Sequence, residues 1–206
     1  MKYLFSVLLW MLWCTLHSAL ITETVTDYMK TKLGDRYRFY RLSYNLFALL
    51  TFLPLVLFSI SIRGTPIFRW EGLLAIVKYL ILAISIFLFI AGGRHYRISQ
   101  FLGIDQIETG FASHVLSHGN TFETTGILNV IRHPWYAAGI LIVWARDITL
   151  SILLINIVIT AYFVVGSFLE ERKLVREFGN TYREYQRYVS MLFPYKWLRG
   201  RIVGMP

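Results

Sequence analysis

Long apolar runs, separated by short polar and basic stretches, dominate the chain. Residues 3–21, 42–62, 73–91 and 134–169 are almost free of charge. Runs of about 18 or more such residues read as membrane-spanning helices. The first three predict single spans at 2–22, 42–62 and 70–92. The fourth holds 36 residues and as one helix would be roughly 54 Å long, against a hydrocarbon core of about 30 Å. It is therefore expected to fold back, and its only charged interruption, Arg146-Asp147, is the natural turn. The pattern predicts an all-α integral membrane protein with five transmembrane helices, the fourth and fifth forming a tight hairpin. The fourth, from Pro134 to Ala145, has only 12 residues, roughly 18 Å. It either extends upstream through 126–131 or leaves a partly open cavity at its end.

Composition narrows the function classes. Of the 206 residues, 56% are hydrophobic and 16% charged, more apolar surface than a soluble fold of this size hides. That excludes a soluble enzyme, a disordered chain, and a collagenous or disulfide-built scaffold. One cysteine, Cys14, forms no internal disulfide, so nothing requires an oxidising compartment. The opening apolar run lacks a clear small-residue cleavage site before Thr22-Glu23-Thr24, and reads as a retained first helix.

The net charge of +9 suggests nucleic acid until it is sorted by loop. With five spans, sixteen Lys and Arg fall on one side of the membrane and four on the other, with Lys78 inside a span. That split follows the positive-inside rule. It predicts a cytoplasmic C-terminus and an N-terminus outside. Three regions follow: a three-helix membrane part at 1–92, a cytoplasmic loop at 93–133, and a hairpin with cytoplasmic tail at 134–206. In the tail, Tyr182, Tyr185, Val189 and Leu192 share one helical face and Arg183, Glu184 and Arg187 the other, which predicts an amphipathic helix at the membrane surface.

The candidate chemistry gathers on the cytoplasmic side. Arg132-His133-Pro134-Trp135-Tyr136 opens the fourth helix. Proline suits a helix's first turn, and the N–H groups just after it, with an arginine beside them, suit a carboxylate or phosphate. The alternative is a plain helix start anchored at the headgroups. Glu170-Glu171 lies at the end of the fifth helix, where acids oppose the macrodipole. Glu170 has Lys173 three residues on, whereas Glu171 has only Ser167, Phe168, Leu174 and Val175 within helical reach. Its counter-cation must come from elsewhere, either an arginine of another loop, such as Arg132, or a ligand. Gly179 can end that helix and Asn180 or Thr181 begin another, bringing Tyr182 and Tyr185 across the bundle's mouth.

The remaining polar residues are weaker candidates. His114 and His118 share a spacing of four but have no carboxylate or cysteine nearby, so no metal site is expected. His95 stands beside Arg94 and Arg97, and His17 lies inside the first span, where a polar side chain faces the bundle. Arg38, Arg41, Tyr44 and Asn45 read as a snorkelling basic collar. There is no GxGxxG, P-loop or HExxH.

In this order the motifs resemble the isoprenylcysteine carboxyl methyltransferase family, small multi-span membrane enzymes that use S-adenosylmethionine. The resemblance runs over 131–194: Arg-His-Pro-x-Tyr, a short hairpin, Glu-Glu, then Phe-Gly-x-x-Tyr-x-x-Tyr and a late proline. His17-Ser18 and the run from Tyr40 to Asn45 are similar to bacterial members of the superfamily, the methanethiol S-methyltransferases and NnrU-like proteins. The resemblance implies that Arg132, His133, Tyr136, Glu170, Glu171, Tyr182 and Tyr185 bind the methyl donor, and that His133 and Glu171 are catalytic. The donor's carboxylate would suit Arg132 and the helix start; its ammonium and sulfonium would suit Glu171 and the aromatic faces. Three positions depart from the isoprenylcysteine pattern: Gly166 for a basic residue, Ala138-Gly139 around the usual small residue, and Ser190 for a proline. All three favour the bacterial side, which implies a bacterial cytoplasmic membrane.

The leading reading is thus a membrane methyltransferase acting on a small thiol or a membrane-dissolved apolar acceptor, with lipid around it and no nucleic acid. An NADPH-dependent membrane reductase, with Arg94 and Arg97 for the 2′-phosphate, and a non-catalytic lipid-binding or assembly protein are the alternatives.

Overall fold

The computed structural model describes residues 1–95, 98–109, 117–118, 121–122 and 124–203. Among them, four helical segments are long and apolar enough to cross a membrane: Lys2–Leu20, Glu23–Ser61, Leu73–Gly93 and Leu150–Phe178. Large side chains such as Leu49, Leu50, Leu80 and Phe87 are exposed on them, as befits helices solvated by lipid. The chain divides into two compact units.

The first unit contains α1 (Lys2–Leu20), α2 (Glu23–Leu33), α3 (Tyr40–Ser61), β1 (Pro66–Phe68), the short helices α5 (Ile98–Leu102) and α6 (Ile104–Thr109), β4 (Ile148–Thr149), and residues 150–158 of the long helix that follows β4. α1 and α3 run antiparallel. Trp10 Nε1 donates to Ser59 Oγ at 2.9 Å and Trp13 Nε1 to Thr51 Oγ1 at 3.0 Å, so the polar groups of these apolar helices satisfy one another. β1 pairs antiparallel with β4. Sequence reading left 23–41 as a basic loop, yet most of it is helical. Thr22 caps α2 by accepting from Val25 N, with Glu23 in the first turn and Lys30 and Lys32 in the last. α2 buries no residue, although Val25, Tyr28, Met29 and Leu33 recur at helical spacing among its charges.

The second unit contains α4 (Leu73–Gly93), β2 (Ser117–His118), β3 (Thr121–Phe122), α7 (Pro134–Trp144), residues 159–178 of α8 (Leu150–Phe178), α9 (Asn180–Tyr188) and α10 (Tyr195–Val203). α7 lies between α4 and α8. Ser85 Oγ donates to Ala138 O at 2.9 Å, and Trp135 Nε1 to Phe89 O at 3.0 Å. On the other flank Trp144 Nε1 donates to Thr160 Oγ1 at 3.0 Å, and Tyr136 stacks on Phe163 at 5.6 Å. With 11 residues α7 is roughly 16 Å long. It does not extend upstream, because Gly126–Asn129 forms a separate 3-10 turn. α8 has 29 residues, roughly 44 Å, so its polar end from Glu170 continues past the apolar part at 150–169.

Gly179, at φ 57, turns the chain from α8 into α9. α9 is amphipathic, but its apolar face packs on its own chain: Tyr182 and Tyr185 pack with Leu174 of α8, with Val175 and Phe178 against them. The helix also ends sooner than its pattern implies, since Val189 is extended. The chain then runs on to form a parallel bridge between Ser190 and Ile131.

The close approach of α4 to α7 depends on Gly92. A Cβ there would stand 2.6 Å from Trp135 Cδ1 and 3.1 Å from Pro134 Cγ, whereas one at Gly93 would meet Trp135 at 3.8 Å. Gly92→Ala is expected to cost about 1–3 kcal/mol by overpacking, and Gly93→Ala almost nothing. Unfolding of the two variants in detergent checks this; equal stabilities would refute the packing account.

Candidate functional site

The site starts from a carboxylate that its own helix cannot neutralise. Glu171 is buried on α8, and the partners missing from that helix come from two other segments of the second unit. Arg132 Nε donates to Glu171 Oε1 at 2.6 Å, and His133 Nε2 donates to the same oxygen at 3.1 Å. Gln186 Nε2, from α9, donates to Oε2 at 2.7 Å. Of the two alternatives open from sequence, an arginine of another loop or a ligand, the structure supplies the arginine.

Arg132 and His133 are fixed from both directions. Pro134 begins α7, and His133 occupies its N-cap. The backbone before that cap is extended: Arg132 N donates to Ser190 O at 2.9 Å and His133 N to Met191 O at 3.1 Å. Arg132 Nη1 also donates to Gln186 O at 3.2 Å and to Val189 O. The guanidinium therefore spans a carboxylate and the carbonyls that end α9, where a cation is favourable. Lys196 reinforces that end, its Nζ donating to Gln186 O at 2.6 Å and its N to Ser190 Oγ at 3.0 Å.

The other expected residues are nearby. Glu170 is only partly buried, its Oε2 3.7 Å from His133 Nδ1, so the imidazole stands between two carboxylates. The Tyr136 ring stacks on His133 at 5.4 Å with an interplanar angle of 3°, and Phe163 continues the stack. Tyr182 and Tyr185 are buried, with their rings edge to face at 5.7 Å. Burial pushes both phenols well above the ordinary tyrosine range, so they remain protonated. The Tyr185 hydroxyl donates to Leu128 O. All seven residues thus lie in the second unit, around one carboxylate.

Sequence reasoning missed Gln186, Ser190 and Lys196. Gln186 had a signal, because it follows Tyr182 by four residues and so places an amide on the apolar face of α9. Ser190 acts through backbone pairing with Ile131 and Arg132, far off in sequence, and Lys196 through the carbonyl of Gln186 and the hydroxyl of Ser190, which no local pattern announces. His17 belongs to the first unit, beside Trp13 and Tyr44. His95 meets Gly126, and Arg94 is exposed. Arg97 and His114 lie outside the described residues, as does the side chain of His118. Among the described residues no three His, Cys, Asp or Glu side chains gather to hold a metal ion.

Comparison with known proteins gives a family match and several relatives. Residues 5–152 match the family model described as NnrU protein. Methanethiol S-methyltransferase 2 of Bradyrhizobium diazoefficiens is 33% identical over 141 residues, 66% of this chain and 53% of its own length. Methanethiol S-methyltransferase 1 of the same organism is 42% identical over 76 residues, 36% of this chain and 27% of that protein. Methanethiol S-methyltransferase of Pseudomonas deceptionensis is 37% identical over 75 residues, 36% and 29% of the two chains. The chain thus spans about half the length of the first of these relatives and under a third of the other two. No solved structure matches it.

Breaking the central pair from one side leaves a buried charge without its partner. Glu171→Leu is expected to destabilise by about 3–5 kcal/mol, and the double variant Arg132→Met/Glu171→Leu by distinctly less. Thermal unfolding in detergent reads both. A single variant as stable as the parent would show that the pair is not what holds α7, α8 and the tail together.

Proposed function

The chain belongs to the NnrU protein family, and from that premise we propose that it is an integral-membrane methyltransferase, dependent on S-adenosylmethionine, acting on a small thiol or a membrane-dissolved apolar acceptor. Three observations support this reading: the relatives are methanethiol S-methyltransferases, four helices are apolar enough to cross a membrane, and a polar cluster sits where α8 outruns its apolar stretch. The cluster carries it: a histidine held between two glutamates and stacked on a tyrosine.

The residues suit a sulfonium donor unequally. Glu170, partly exposed, offers the negative charge a cation needs, while Tyr136, stacked between His133 and Phe163, holds the imidazole in place. Arg132 and Glu171 are already satisfied by one another and by α9, so their role is to hold the others in place. When bound, the donor supplies an electrophilic methyl group on sulfur. With the Nε2 proton of His133 committed to Glu171, Nδ1 is the nitrogen left to take a proton from a thiol. Glu170, 3.7 Å away, stabilises the imidazolium that results. Orientation and exclusion of water by the stacked rings supply the remaining rate gain.

In this proposal the 134–206 region, with Arg132 and His133 just before it, carries the donor site, and α7 with α8 form the fourth and fifth of five crossings, with the N-terminus outside and the C-terminus cytoplasmic. Single cysteines at positions 35, 69 and 184, placed in a Cys14→Ser background, test the sidedness with an impermeant maleimide. Positions 35 and 184 are expected to react from the cytoplasmic side and 69 from the opposite one; any other pattern rejects the five-span arrangement.

Methyl transfer from labelled S-adenosylmethionine to ethanethiol, with purified protein, tests the activity. His133→Ala is expected to lower kcat by about 10²–10⁴-fold, and Glu170→Gln to weaken donor binding. Binding of NADPH in place of S-adenosylmethionine would favour the reductase. Binding of neither would leave a non-catalytic membrane protein.

A further inference from the structure

The apolar face of α9 packs inside the protein, since Tyr182 and Tyr185 are buried with Leu174 of α8. The exposed apolar side chains of the tail come after it. Tyr188 and Phe193, 79% and 67% exposed, lead into α10, and Tyr195, Trp197 and Leu198 of that helix are exposed as well. Lys196 marks the inner side of α10, with its Nζ donating to Gln186 O at 2.6 Å. At about 100° of turn per residue, Trp197, Leu198 and Arg201 lie at least about 100° round the helix from Lys196 and so form its outer side. The Arg201 guanidinium lies over the Trp197 ring, 5.0 Å from its centroid.

The same lysine sets the level of α10. Gln186, whose carbonyl it holds, donates from Nε2 to Glu171 Oε2 at 2.7 Å. Glu171 stands two residues, about 3 Å of helix, beyond Leu169, where the apolar stretch of α8 ends. α10 is thus tied within a few side-chain lengths of the membrane boundary, where the headgroup layer is about 5–8 Å deep. Tryptophan and tyrosine concentrate in that layer. The charge is one-sided too: from Tyr185 to Pro206 the sequence holds Arg187, Lys196, Arg199 and Arg201 and no Asp or Glu. Arg199 and Arg201 are exposed, and among the described residues no carboxylate pairs with either. A second copy laying the same face on this one would set arginine against arginine. The complement of this face is a surface that is anionic outside and apolar beneath.

We propose that α10 and the turn before it form an interfacial anchor that docks on the anionic lipid surface of the bilayer holding α8. Phe193, Trp197 and Leu198 enter the boundary between headgroups and acyl chains, and Arg199 and Arg201 pair with the negative headgroups. The surface position that sequence assigns to α9 thus passes to α10, while α9 joins the anchor to the buried cluster through Gln186. The proposal takes from the fold only that α8 lies in a bilayer, and does not rest on the methyl-transfer reading.

Lipid contact at position 198 tests this in the full chain. Leu198→Cys, in a Cys14→Ser background, carries a nitrobenzoxadiazole label, and the protein is reconstituted in nanodiscs of phosphatidylglycerol or of phosphatidylcholine, each doped with a headgroup nitroxide lipid. Glu184→Cys, on the outer face of α9, is the reference. In phosphatidylglycerol the label at 198 is expected to be quenched distinctly more than the label at 184, and in phosphatidylcholine the difference is expected to shrink. Arg199→Gln/Arg201→Gln, which alters only exposed side chains, is expected to lower the docked-to-free ratio in phosphatidylglycerol by about fivefold for each arginine removed, and raised salt to act in the same direction. Quenching at 198 no greater than at 184, or equal in the two lipids, or untouched by the double variant, would overturn the proposal. Protection of 198 from aqueous iodide without quenching by lipid would overturn it in favour of a protein partner.

Discussion

The arrangement of the second unit depends on neutralising one carboxylate at the end of a helix. Glu171 stands where the macrodipole of α8 is unfavourable to it and where its helical neighbours are apolar. At an effective dielectric near 20, a pair of unit charges about 4 Å apart gains about 4 kcal/mol, which is comparable with the several kcal/mol lost in desolvating each ion. The Arg132–Glu171 pair is therefore close to neutral as a source of stability. Its effect is geometric. It joins the start of α7, the end of α8 and the end of α9 at one point, because Arg132 reaches Glu171 with one nitrogen and the α9 carbonyls with another.

Lipid around the helices explains why the remaining contacts take the form they do. Between apolar helices in an apolar solvent, burial gives little driving force, so close packing and hydrogen bonds decide which faces meet. Ser85 and Trp135 bond α7 to α4 through backbone carbonyls, Trp144 bonds α7 to Thr160 of α8, and Gly92 and Gly139 let aromatic rings approach the helix axes. α7 has too few residues to cross a bilayer unaided, and these contacts hold it in place so that His133 meets the end of α8.

What could be read from sequence was what is local. The apolar runs located α1, α3, α4 and α8, Pro134 marked the start of α7, and Gly179 marked the turn into α9. The absence of a partner for Glu171 was also legible, since it needs only helical spacing. Arg132 was among the partners the sequence offered, but spacing could not choose between it and a ligand across 39 positions, and the Ile131–Ser190 bridge left no local signal at all. α2 escaped notice because Glu23, Asp27, Lys30 and Lys32 make it read as a polar link between spans, although Val25, Tyr28, Met29 and Leu33 keep a helical period. Val189 was placed on α9 because its spacing fits. It leaves the helix because its carbonyl is needed by Arg132 and the residue after it by Ile131.

Two arginines of the same chain show why partner accounting says more about function than motif position. Arg132 belongs to the stronger sequence motif, and anion binding was expected of it. Its Nε and Nη1 are instead engaged by Glu171, Gln186 and Val189, so a carboxylate taking those two nitrogens would have to displace contacts that organise three helices. Arg41 belongs to a stretch that reads as a simple collar. It is half-buried, with its Cβ against the turn at Gly103, and no carboxylate pairs with it among the described residues. A buried charge that its own fold completes is scaffold, and one that its fold leaves incomplete has affinity to spare. On that criterion a donor site of the kind proposed is to be sought at the half-exposed Glu170 and Tyr136 and at His133 Nδ1, and not at the Arg132–Glu171 pair.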